Sequence, residues 1–74
     1  MDIAALLLKV EEKYKKQPHT TIDGLKIEFD KEWVHLRRSN TEPVIRIYSE
    51  GNSETVANNL ANKIIADIKE LLIN

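Results

Sequence analysis

The sequence predicts an α+β fold, a two-layer sandwich in which an antiparallel sheet of three to four strands carries an N-terminal and a C-terminal helix on one face. Three observations lead there. Apolar residues recur at helical spacing at both ends of the 74-residue chain, the middle alternates apolar and polar residues with a period of two, and turn residues punctuate that middle at short intervals.

Near the N-terminus Ile3, Leu6, Leu7, Val10 and Tyr14 lie three or four apart and share one helix face, while Lys9, Glu12, Lys13 and Lys16 point away. Asp2 is placed to cap the start. Pro18 disfavours helical geometry at the residue before it, so the helix should end at Gln17. Its polar face carries both signs of charge, which suits a core-facing helix better than one lying on a membrane. Thr20, Thr21 and Ile22 read as a short strand, and Asp23-Gly24 as a turn. Leu25, Ile27 and Phe29 then alternate with Lys26 and Glu28, and Asp30-Lys31-Glu32 makes the next turn. From Trp33 to Arg38 a further strand places Val34 and Leu36 on one face and Trp33, His35 and Arg37 on the other. After a loop, Ile45 and Ile47 alternate with Val44, Arg46 and Tyr48. Asn52 or Ser53 can cap the last helix, whose stripe runs through Val56, Ala57, Leu60, Ala61, Ile64, Ile68, Leu71 and Leu72 against Asn59, Asn62, Lys63, Lys69 and Glu70.

Composition sets limits on function. Residues 1 to 74 read as a single small domain, near the size at which one apolar core is just sufficient. The chain has no cysteine, which removes disulfides and thiolate metal sites and agrees with a reducing cytoplasm. No apolar run approaches the roughly 20 residues that span a bilayer, and the opening lacks the basic start of a secretion signal. A net charge of −1 argues against nucleic acid, which attracts domains with a basic face. Neither nucleic acid nor membrane is therefore an expected partner.

The three arginines cluster around one loop, where Arg37 and Arg38 precede Ser39, Asn40, Thr41, Glu42 and Pro43, and Arg46 follows. Such a segment offers hydroxyls, an amide and turn N–H groups that can form a concave nest, flanked by guanidinium groups able to fork onto two phosphate oxygens. The alternation puts Arg37 and Arg46 on the same face, away from the core. Pro43 fixes the loop exit, and Glu42 supports the loop by holding an arginine or accepting loop N–H groups. Other titratable residues look structural. His19 and His35 have no cysteine or third histidine beside them and read as surface or packing residues rather than metal ligands. Trp33 and Tyr48 read as structural or interdomain residues on the open face, and Glu11, Glu12, Asp67 and Glu70 as solvated charges on helix surfaces.

The string Arg37-x-Ser39-Asn40-Thr41-Glu42-Pro43-x-x-Arg46-x-Tyr48-x-Glu50 resembles the phosphate-binding signature of the last domain of the α-D-phosphohexomutases, the phosphoglucomutase, phosphomannomutase and phosphoglucosamine mutase family. The resemblance extends from Asp23-Gly24-Leu25-Lys26-Ile27 through Trp33-Val34-His35-Leu36 to Ser53-Glu54-Thr55. It implies the C-terminal (fourth) domain of a larger enzyme that interconverts hexose 1-phosphates and hexose 6-phosphates through a phosphoserine and a bisphosphorylated intermediate. The family's serine loop, aspartate-rich magnesium loop and sugar-reading loop have no counterpart in this sequence. The resemblance thus implies a hexose phosphate and the other domains as partners, with magnesium and a glucose 1,6-bisphosphate-type activator needed by the longer enzyme. It implies neither a catalytic residue nor a cofactor in this domain. Arg37, Ser39, Asn40 and Thr41 map onto the phosphate-contact motif, with Arg46 as an added contact. Two positions depart from the usual pattern: Asn40 stands where many relatives have Gly, and Arg38 where many have Pro. Asn40 tolerates left-handed geometry, so the nest is preserved, and it leans toward the phosphoglucomutase/phosphomannomutase branch. Arg38 should face solvent. The competing readings are a phosphoglucosamine mutase parent and a free-standing module binding anions or single strands through Trp33, Tyr48 and the arginines.

Overall fold

A computed structural model describes residues 3 to 39 and 44 to 73. Helix α1 (Ile3–Lys13) leads into strands β1 (His19–Thr20), β2 (Leu25–Glu28), β3 (Trp33–Arg38) and β4 (Ile45–Glu50), and helix α2 (Glu54–Ile73) follows. The strands form one antiparallel sheet in the order β1-β2-β3-β4, each paired with its neighbour in sequence. This is the α+β sandwich that the periodicities predict.

The two-residue period decides which face is covered. Leu25, Ile27, Val34 and Leu36 are buried and meet Leu6 and Val10 of α1 and Leu60, Ile64 and Ile68 of α2 in one cluster. Both helices therefore lie on the same face, leaving Lys26, Trp33, His35, Arg37, Arg46 and Tyr48 on the open one. Ser53 caps α2, its hydroxyl accepting the Val56 N–H at 3.1 Å. The Ser49 hydroxyl donates to the Ala57 carbonyl at 2.8 Å, tying β4 to the first turns of α2. Leu72, assigned to the core stripe from its spacing, is 52% exposed. The stripe outruns the sheet beneath it, so the last turn has less to bury against. The proposed Asp2 cap lies outside the described residues.

The first helix and first strand both differ from the sequence expectation. Helix α1 ends at Lys13 rather than Gln17. Beyond it the chain tightens into shorter turns, with Tyr14 N–H bonded to the carbonyls of Val10 and Glu11, and Gln17 N–H to that of Tyr14. Strand β1 starts one residue early and is shorter than expected. The Pro18 carbonyl accepts the Glu28 N–H at 2.8 Å, so pairing begins there, and residues 21 to 24 are used to reverse the chain. Ile22 is left 95% exposed.

The helices are clamped by a polar contact that the sequence does not reveal. The Tyr14 hydroxyl donates to Asp67 of α2, Lys13 Nζ lies 3.1 Å from Asp67 Oδ1, and the Tyr14 ring stands edge-on to Phe29 with centroids 5.9 Å apart. Asp67, expected to be a solvated charge, is instead 13% exposed and bridges the two helices. Burial, the hydrogen bond to Asp67 and the carboxylate charge, in that order, push the Tyr14 hydroxyl above its ordinary value. A raised value means that the folded state favours the protonated phenol. The stabilisation is complete below the unfolded value of about 10 and is lost as the pH rises beyond it. Tyr14→Phe should cost about 0.5–1.5 kcal/mol at neutral pH, and the gap between variant and wild type should narrow above about pH 10. Urea unfolding at neutral and alkaline pH measures both; a gap that stays constant would contradict the clamp.

Candidate functional site: the open face at the β3–β4 turn

The site is built from the C-terminal end of β3 and the beginning of β4. Register pairs Arg37 with Arg46 and Arg38 with Ile45. Just beyond, the Ser39 N–H donates to the Val44 carbonyl at 3.2 Å and closes the base of the connecting loop. Asn40, Thr41, Glu42 and Pro43, four of the residues assigned to the phosphate loop and its support, lie outside the described residues. Arg37, Ser39 and Arg46 can be placed, and the fold brings them to one end of the sheet.

Arg37 and Arg46 are directly opposed on the helix-free face, and both are exposed. Opposed residues on an antiparallel pair have Cβ atoms about 4.5–5.5 Å apart, and like charges there are destabilising. A pair of this kind makes physical sense when a shared anion lies between the guanidinium groups. Arg38 is exposed, as expected, and sits on the helix side of β3, where it lines a cleft with Ala4, Leu7, Leu8 and Glu11. Strand alternation thus sends neighbouring arginines to opposite faces, and Arg37 is the one that meets Arg46.

Arg37 also has a partner that sequence reasoning missed. Asp23 Oδ2 lies 3.2 Å from Arg37 Nη2. Asp23 reads as a turn residue in the sequence, and nothing in its spacing from Arg37 signals the contact, because the pairing of β2 with β3 is what brings them together. Among the described residues, Asp23 is the carboxylate that holds Arg37; Glu42, expected to support the loop, lies outside them.

The remaining polar residues on this face are held by structural contacts. His35 Nε2 donates to the Asp23 carbonyl. On the opposite, helix-covered side, His19 is held between the Gln17 carbonyl at 2.7 Å and Glu11 of α1 at 3.1 Å. The Lys26 ammonium lies 4.8 Å from the centroid of Trp33, a cation–π contact that caps the indole. Tyr48 stands opposite His35, one same-face position along from the arginine pair, and remains 44% exposed. Among the described residues no group of three or more His, Cys, Asp or Glu could hold a metal ion. No helix of the described residues is long and apolar enough to cross a membrane.

Fold and site together define a small sheet-and-helix domain presenting opposed arginines at a turn. Residues 2 to 67 match the phosphoglucomutase/phosphomannomutase C-terminal domain family, and the chain belongs to that family. It is 46% identical over 66 residues to a phosphoglucosamine/phosphogalactosamine mutase of Sulfurisphaera tokodaii, a match covering 77% of this chain and 14% of that protein. It is 48% identical over 58 residues to a phosphoglucomutase/phosphomannomutase of Thermococcus kodakarensis, covering 76% of this chain and 13% of the relative. A phosphoglucosamine mutase of Methanococcus vannielii is 42% identical over 53 residues, covering 72% and 12% respectively. The chain thus spans a small fraction of the length of the curated relatives that it matches, and those relatives are mutases.

Proposed function

We propose that this chain is the substrate-phosphate-holding domain, residues 1 to 74, of a larger phosphohexomutase that interconverts hexose 1-phosphate and hexose 6-phosphate. The observation that carries the reading is the opposed Arg37–Arg46 pair on the open sheet face at the mouth of the 39–44 loop. A phosphate dianion relieves the repulsion between the two guanidinium groups and gains charge-assisted hydrogen bonds from both. Ser39, Asn40 and Thr41 complete the grip with hydroxyl, amide and backbone donors, and Glu42 and Pro43 keep the loop in shape.

The role is positioning. In the longer enzyme a phosphoserine outside this chain gives its phosphoryl group to the sugar, a bisphosphorylated sugar forms, and the other phosphate returns to the serine. This domain holds the phosphate that is not reacting, which aligns the sugar hydroxyl with the serine and converts a random encounter into an oriented one. Because the sugar presents either end in turn, a site that reads phosphate and ignores the ring is suited to both half-reactions. Magnesium, which supplies charge neutralisation during phosphoryl transfer, and a bisphosphate activator are requirements of the longer enzyme and use no residue of this domain. We place that enzyme in the cytoplasm, with a hexose phosphate and its own other domains as partners.

The identity of the sugar is a separate matter, since this loop contacts phosphate. Asn40 favours a glucose or mannose phosphate, as in the name of the Thermococcus relative; the names of the Sulfurisphaera and Methanococcus relatives favour an amino sugar. The reading is tested by assaying the longer mutase that contains this domain for interconversion of the 1- and 6-phosphates of glucose, mannose and glucosamine. Turnover on at least one pair is expected, with none by the 74-residue chain alone. Turnover by the short chain would contradict the assignment.

A further inference from the structure

A guanidinium that serves only to grip phosphate has no need of a carboxylate beside it, yet this fold supplies one and fixes the turn that bears it. Asp23 Oδ2 lies 3.2 Å from Arg37 Nη2. The turn is anchored to β3 at two points adjoining Arg37. His35 Nε2 donates to the Asp23 carbonyl. Gly24, at φ +80°, passes so close to β3 that a Cβ would lie 2.3 Å from the Leu36 carbonyl oxygen. Only glycine accommodates both the left-handed conformation and that approach. Asp23 is thereby held against Arg37 by backbone geometry.

We propose that Asp23 is an internal counter-ion of the phosphate site, which holds Arg37 in place when no ligand is present and weakens the grip on phosphate when one arrives. The inference rests on the phosphate reading above and adds a residue that sets the strength of the site. Two effects of the carboxylate oppose each other. By fixing the guanidinium it reduces the entropy lost on binding, and by its charge it repels the phosphate. Both are modest at an exposed pair, but they can be separated chemically. Asparagine keeps an oxygen that accepts a guanidinium N–H and so retains most of the orientation, while the charge disappears. For a dianion roughly 6–8 Å away, with solvent and salt screening, loss of one negative charge should strengthen binding about three- to fivefold. A weakened grip has a use in this reaction. The site must release one end of the sugar and take the other within each cycle, and tight ground-state binding alone adds nothing to turnover.

The test titrates the 74-residue chain, Asp23→Asn, Asp23→Glu and Arg37→Ala with inorganic phosphate near pH 8, following backbone amides and the Arg37 Nε–H by NMR. Asp23→Asn should bind about three- to fivefold more tightly than wild type at about 0.01 M salt, and the advantage should shrink toward none as salt is raised to about 0.5 M. Asp23→Glu, which keeps the charge, should bind like wild type. A purely structural role for Asp23 gives no such salt-dependent gain and weakens binding in both variants. If Asp23→Asn binds phosphate no more tightly than wild type while Arg37→Ala loses binding, the counter-ion is overturned and the phosphate reading stands. Wild-type chain that gives no phosphate-dependent shift at Arg37 or Arg46 overturns both.

Discussion

Replacing Arg37 by alanine in the longer mutase should lower kcat/KM on hexose phosphates by about 10- to 100-fold, mostly through a higher KM, and leave phosphorylation of the catalytic serine largely intact. The magnitude follows from the bonds lost. Hydrogen bonds to a charged group contribute about 1.5–3 kcal/mol, and every 1.4 kcal/mol is a factor of ten. Arg37→Lys should recover part of the loss, since an ammonium keeps the charge but cannot fork onto two oxygens. Folding should change little in either variant. The Arg37–Asp23 pair is solvent-exposed, with side chains 48% and 68% accessible, and such pairs contribute at most about 1 kcal/mol. Steady-state kinetics with phosphorylated and unphosphorylated sugars, beside a thermal melt, measures all of this. Unchanged kinetics in a folded Arg37→Ala enzyme would remove Arg37 from the site.

The largest effect on stability is expected in α2. Ile64 is fully buried at the centre of the cluster, with Val10, Leu36 and Ile68 among its members. Ile64→Ala removes transfer free energy and leaves a cavity, a combination that costs about 2–5 kcal/mol. The better helix propensity of alanine offsets only a few tenths of a kcal/mol. A domain of 74 residues has a total stability of about 4–11 kcal/mol at typical values per residue, so this one change removes a large share of it. Leu72→Ala, also in α2 but exposed, should stay within about 0.5 kcal/mol. Urea unfolding followed by circular dichroism separates the two; equal midpoints would mean that the helix does not pack as described.

Much of the fold was legible because it rests on two periodicities. The period-two alternation in Leu25 and Ile27, and again in Val34 and Leu36, is enough by itself to assign the buried face, and Ser53 marks the start of the last helix. What the sequence did not show depends on tertiary geometry. The α1 terminus lies at Lys13 rather than Gln17 because Pro18 must already be positioned for its carbonyl to receive Glu28, which forces tighter turns earlier. Ile22 favours a strand by its side chain, yet the reversal at Gly24 takes that residue. Asp67 looks like any acidic residue on a helix surface, and only the packing of α1 against α2 reveals it as the acceptor for Tyr14.

The site divides in the same way. Alternation along β3 and β4 was enough to place Arg37 and Arg46 on one face, and the register then made them direct partners. Asp23 was invisible as a site residue because Asp-Gly is a turn signal with a sufficient local explanation. Its contact with Arg37 arises only when β2 pairs with β3. Trp33, read from the sequence as a structural or interdomain residue of the open face, is capped by Lys26, and this contact too runs between strands.

The measurement that tests the central claim most directly is titration of the isotope-labelled chain with glucose 1-phosphate, using unphosphorylated glucose as control and following every backbone amide by NMR. Affinity should be roughly millimolar or weaker, as for a site holding a single phosphate with about 4 kcal/mol. With the sugar phosphate, shifts should concentrate at residues 37 to 46, and glucose alone should cause none. Shifts elsewhere on the domain with residues 37 to 46 silent at saturating ligand, or equal shifts with glucose, would contradict a phosphate site at the β3–β4 turn.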